Sequence, residues 1–89
     1  MSTEFILYDE TETTSTRFVG FATNNVRYDL AIVTTAHFYG KKLVVSIQSG
    51  RSAILNDEDA QNIVHLMDAY GISDETEAEE LSEFLLSNL

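Results

Sequence analysis

Residues 16–35 read TRFVGFAT-NN-VRYDLAIVTT, two runs rich in apolar and β-branched side chains around a pair of asparagines. Alternating runs separated by two turn-forming residues are the local signature of a β-hairpin, and Asn tolerates the positive φ that tight hairpin turns use. A two-residue loop at Asn24 and Asn25 also sets the register, because directly opposed residues point to the same side of a sheet. Phe21 then opposes Tyr28, Val19 opposes Leu30 and Arg17 opposes Ile32 on the more apolar face. The reverse face carries Phe18, Gly20, Ala22, Arg27, Asp29, Ala31 and Val33, with Gly20 opposite Asp29 and Ala22 opposite Arg27.

Outward from this hairpin, residues 43–48 (LVVSIQ) and 51–56 (RSAILN) flank Ser49-Gly50, a second two-residue turn. It sets Val45 opposite Ile54, with Leu43 and Ile47 beside them. Val44 opposite Leu55, Ser46 opposite Ala53 and Gln48 opposite Arg51 then fall on the reverse face. Residues 5–8 (FILY) add a fifth short strand, and the polar stretch 9–16 reads as a loop. After Asn56 the pattern becomes helical. Ala60, Ile63, Val64, Met67 and Tyr70 make one stripe over residues 57–70, capped by Asn56 or Asp57 and ended by Gly71. Ser73 caps a second helix to about Asn88, with Ala78, Leu81, Phe84, Leu85 and, at its end, Leu89 on one side. The expected fold is α+β, a five-stranded, mainly antiparallel sheet followed by two C-terminal helices. It forms one domain over residues 1–89, with strands within about 4–56 and helices within about 57–88.

An antiparallel sheet with one wet face alternates cleanly between apolar and polar residues, and this one is partly apolar on both sides. Two short helices cover one side and leave the other to a partner. At 89 residues the chain is near the lower end of what buries a self-sufficient core, so a second copy is the first partner to consider, with another protein as the alternative.

Charge is partitioned along the chain. Residues 1–16 hold four acids and no base, residues 17–51 hold five bases and one acid, and residues 52–89 hold ten acids and no base. The net charge of -10 disfavours nucleic acid and anionic lipid through long-range repulsion. No cysteine is present, which excludes disulfides and thiolate chemistry. Neither a signal peptide nor a membrane span is expected from the acidic start and the four-residue apolar runs, so the cytoplasm is the expected compartment.

Motifs for chemistry are sparse. His37 and His65 lie 28 residues apart without a second ligand at metal spacing, so no zinc site is expected. Residues 57–68 partly mimic a calcium loop, but Asn62 stands where a glycine is needed, and the same residues read as a helix start. Residues 36–42 (AHFYGKK) read either as a strand connection anchored by its aromatics or as an anion-binding corner using Gly40, Lys41 and Lys42. Asp29 and Arg27 share a face as an ion pair, or as a general base beside an anion-holding arginine. Arg17, Arg27, Lys41, Lys42 and Arg51 interleave with Phe18, Phe21, Tyr28, Phe38 and Tyr39, a composition that single-strand stacking surfaces share. No catalytic motif, metal site or cofactor is expected.

The blocks Arg17-Phe18-Val19-Gly20-Phe21, Arg27-Tyr28-Asp29-Leu30-Ala31-Ile32, Tyr39-Gly40-Lys41 and Gly50-Arg51 followed by Ala53-Ile54 together resemble a family of small cytoplasmic proteins of Gram-positive Firmicutes, catalogued as a domain of unknown function. The resemblance spans nearly the whole chain and implies a single α+β domain without an assigned activity, cofactor or catalytic residue.

The resulting expectation is a non-catalytic homodimeric protein-interaction module. Its surface centres on Phe18, Arg27, Asp29, Val44 and Leu55, with Lys41, Lys42 and Arg51 as a basic edge. The alternatives are a single-stranded nucleic-acid binder working through the basic and aromatic sheet surface, or a small enzyme with an anionic ligand near residues 36–42. The enzyme would need His37, Tyr39, Asp29 and Arg27 around one pocket.

Overall fold

The structure, a computed structural model, describes residues 4–89; residues 1–3, read above as part of an acidic start without a basic region, lie outside them. Four strands, Ser15–Ala22 (β1), Arg27–Thr34 (β2), Lys42–Ser46 (β3) and Ser52–Leu55 (β4), form an antiparallel meander in chain order. The class is α+β as expected, but the sheet has four strands and not five. Residues 5–8 belong to no strand, and their side chains are between 75% and 90% exposed. Their composition favours β structure, yet a strand exists only where a ladder partner accepts its backbone bonds.

The β1–β2 register is the expected one, from Arg17 opposite Ile32 to Ala22 opposite Arg27. The turn holds by a different device. Among the described non-glycine residues only Tyr39 has positive φ. Thr23 N–H donates to the Val26 carbonyl at 2.8 Å, while the Thr23 hydroxyl accepts from the N–H groups of Asn25 and Val26 at 3.2 Å each. The side chain before the asparagines therefore ties the turn.

The second hairpin is longer than expected. Gly50 N–H donates to the Ser46 carbonyl and Ser46 N–H to the Arg51 carbonyl, both at 2.8 Å, so residues 47–50 make a four-residue connection. Leu43 consequently opposes Ile54, Val44 opposes Ala53 and Val45 opposes Ser52. This two-residue slide preserves which side each residue faces, whereas a slide of one would have inverted it. The join between the hairpins decides the rest. Thr34 pairs with Lys42 and Ile32 with Val44, which puts Val44 and Leu55 on the side of Ile32 and leaves both 0% exposed.

Three helices follow where two were expected: Asp57–Ala60 (α1), Ile63–Tyr70 (α2) and Glu75–Leu86 (α3). The Asn56 side chain accepts from Asp59 N–H at 2.9 Å and the Asp59 carboxylate accepts from Asn56 N–H at 3.1 Å, a reciprocal capping box. The helix then breaks at Gln61 and Asn62, and Asn62 restarts it by accepting from His65 N–H. The restart shifts the phase, so Leu66 is buried and Val64 is exposed. Asp74 rather than Ser73 caps α3, accepting from Thr76 N–H at 2.9 Å. Gly71 ends α2 with a φ of 66°.

All three helices lie on one side of the sheet. Leu30, Ile32, Val44 and Leu55 from the strands pack with Ala60, Leu66, Tyr70, Ala78, Leu81 and Leu85 from the helices. Two buried hydroxyls tie the elements together, Tyr70 of α2 donating to the Val44 carbonyl of β3 at 2.8 Å and Ser82 of α3 to the Ala60 carbonyl of α1 at 2.5 Å. Phe21 stacks between Tyr28 and Phe84, with ring centroids 5.4 and 4.1 Å away. The Tyr28 hydroxyl donates to the Glu77 carboxylate at 2.5 Å, and burial together with that carboxylate pushes its pKa well up. No helix among the described residues is long and apolar enough to cross a membrane.

Candidate interaction surface

The sheet has a second side with no helix on it. Read across the strands, Thr16, Val33, Leu43 and Ile54 form one row, Phe18, Ala31, Val45 and Ser52 the next, and Gly20, Asp29 and Ile47 the third. Ala22 and Arg27 close the face at its far end. Phe18, on the edge strand β1, is 76% exposed, and Ile47 and Ile54 are exposed with it. The aliphatic middle, Val33, Leu43 and Val45, is only half-buried.

One charged cluster lies on this face. Arg27 Nε sits 3.2 Å from Asp29 Oδ2, and its Nη2 donates to Oδ1 at 3.3 Å. Gln48 grips the same carboxylate from the turn, its Nε2 donating to Oδ2 at 2.6 Å while its Oε1 accepts from Asp29 N–H at 3.2 Å. Gly20 makes the room, since a Cβ there would stand 3.0 Å from Asp29 Oδ1. Arginine and aspartate thus cancel locally, and the face is apolar and close to neutral on a chain of net charge -10.

Of the expected surface, Phe18, Arg27 and Asp29 share this face. Val44 and Leu55 do not; they lie in the core beneath the helices, because the β2–β3 join puts them on the side of Ile32. The basic edge is not assembled either. Lys41 Nζ binds Asp59 Oδ2 at 2.8 Å, and this hydrogen bond, with the one from Asn56 N–H, holds the Asp59 carboxyl below its ordinary value. Lys42 lines a cleft with Leu55, Asn56 and Leu89. Arg51 lies at the opposite end of β3, its guanidinium against Gly71 at the C-terminus of α2, where a cation meets the negative end of the helix dipole.

Residues 36–42 hold carboxylates of the chain itself. A single 310 turn, Ala36–Phe38, follows Thr35. Glu12 accepts from the Thr35 hydroxyl, from Ala36 N–H at 3.4 Å and from His37 Nδ1, while Glu10 Oε2 lies 2.9 Å from His37 Nε2. The bond from Thr35 foremost, then those from His37 and Ala36, lowers the Glu12 pKa, and the two glutamates raise that of His37. Both imidazole nitrogens are engaged, and Tyr39 stands fully exposed beyond them. His37 and Arg27 sit at opposite ends of the eight-residue β2, roughly 25 Å apart at about 3.4 Å per residue, so the constellation considered for catalysis is dispersed. Phe21 and Tyr28, counted among stacking aromatics, are on the helix side, and Arg17 donates to the Asn88 carbonyl at 2.9 Å.

The family comparison covers this whole arrangement, with a match over residues 7–87 that takes in the glutamates, all four strands and all three helices. The chain belongs to the SAV0927-like family. That family is small and uncharacterised, so membership names no activity. None of the curated proteins compared with the chain matches it.

The clasp of Glu10 and Glu12 on His37 is the feature that the sequence reading missed. The two glutamates lie more than 20 residues from the histidine, and the only sequence signal is the acidic content of a loop followed by a lone histidine.

Proposed function

We propose that this member of the SAV0927-like family is a non-catalytic homodimeric interaction module of the cytoplasm, self-associating through the helix-free sheet face. The observation that supports this reading is the exposure of Phe18, Ile47 and Ile54 around half-buried Val33, Leu43 and Val45 on one contiguous, near-neutral surface. Apolar surface gathered in this way gains free energy by leaving water, at about 25 cal/mol per Å².

Charge favours a second copy at this face over any other. Residues 52–89 carry ten acids and no base, and the helices on the opposite side hold most of them. Two facing sheets at least about 10 Å apart, with helices about 10 Å beyond each, keep the acidic layers roughly 30 Å or more from one another. That exceeds the Debye length of about 8 Å at physiological salt, whereas contact through the helices would press like charges together.

Sedimentation velocity at micromolar concentration tests the reading. Wild type is expected to sediment as a dimer, and Phe18→Glu, which puts a carboxylate on the apolar face, as a folded monomer. A wild type that stays monomeric across the concentration range would overturn it.

A further inference from the structure

We infer that residues 5–8 are a docking arm whose Phe5, Ile6, Leu7 and Tyr8 side chains pack on the open sheet face of a second copy of the chain; this rests on the homodimer reading and deepens it. Four consecutive large apolar side chains stand between 75% and 90% exposed. The molecule is elongated, measuring 53 × 27 × 22 Å, and its radius of gyration of 15.2 Å exceeds the ~12 Å of a compact chain of this length.

The root of the arm is fixed where it can serve the face. Glu10 and Glu12 hold it against His37, Thr35 and Ala36, at the end of the sheet where β2 leaves. The nearest row of the open face is Thr16, Val33, Leu43 and Ile54. The side chains of residues 5–8 stand in solvent and leave the open face of their own sheet uncovered.

The area of the face calls for such an addition. A four-stranded face about 19 Å wide and about 20 Å tall offers roughly 400 Å². A stable interface needs about 800 Å² from each partner. Two aromatic rings bury about 150–250 Å² each, and with Ile6 and Leu7 one arm supplies the missing half. A two-fold dimer uses the arm twice, each copy's arm lying on the other's face. Charge does not oppose the exchange, since residues 5–8 are neutral and the face carries only the Arg27 and Asp29 pair.

A nitroxide label on Glu4→Cys tests this, because the chain has no other cysteine. Labelled chain at natural isotope abundance is mixed with ¹⁵N wild type, and amide broadening is read on the wild-type copy. Broadening centred on Thr16, Phe18, Val33 and Val45 is the expected result. In parallel, Phe5→Ser/Leu7→Ser is expected to weaken dimerisation at least about 100-fold with thermal unfolding of the monomer unchanged. If the face is broadened only in self-labelled ¹⁵N chains diluted with unlabelled protein, the arm covers its own sheet and the inference fails. If wild type dimerises but the serine variant dimerises equally well, the arm inference falls and the homodimer reading stands. A monomeric wild type removes both.

Discussion

The two faces of one sheet follow opposite rules. On the helix side, Leu30, Ile32, Val44 and Leu55 are almost wholly removed from water and two hydroxyls reach buried carbonyls. On the other, Val33, Leu43, Val45 and Ile54 have the same chemistry at neighbouring positions of the same strands and keep contact with solvent. The difference comes from what lies above each face and not from the strands themselves. Side-chain type alone therefore does not mark a core; contiguity with the helical stripe does.

The largest expected effect separates these faces directly. Leu30→Ala should cost about 2–5 kcal/mol of unfolding free energy by leaving a cavity, whereas Val45→Ala in the monomeric Phe18→Glu background should cost less than about 1 kcal/mol. Urea titration measures both, and equal losses would show that the open face is packed. A smaller effect concerns the charged cluster. Arg27→Ala should change monomer stability by no more than about 1 kcal/mol, since the pair is partly exposed and screened by water. A loss well above that would mean that Asp29 is effectively buried.

The smallest effect is the pH response of the clasp. Folding raises the His37 pKa, so its stabilising contribution is complete below the ordinary histidine value and fades as pH rises through the raised one. Folding lowers the Glu12 pKa, so its contribution is present above the ordinary glutamate value and fades as pH falls through the lowered one. The clasp is thus tightest between the ordinary glutamate and histidine values and loosens beyond them on either side. NMR titration should place His37 above its ordinary value in wild type and closer to it in Glu12→Gln; an identical His37 titration in both proteins would contradict the pairing.

The sequence made some of this legible for identifiable reasons. The β1–β2 register could be read because two asparagines mark the loop and both flanking runs alternate. The side taken by Val44 and Leu55 could not, because it depends on how residues 35–41 cross between hairpins, and that stretch has no periodicity. The break at Asn62 was hidden since a cap residue inside a helical stripe looks like an exposed helix position. Residues 5–8 have strand composition, but composition cannot supply the neighbour a ladder requires. Of the surface named from sequence, the three residues on the first hairpin stayed together, and the two whose placement required the inter-hairpin join did not.

The acidic helical layer also bears on stoichiometry. A pair of copies joined at their sheets would turn the acid-rich helices outward on each flank, and a third copy approaching either flank would meet its own charge. Association would end at two, and the surface that keeps the protein dispersed would also be the one that stops it from polymerising.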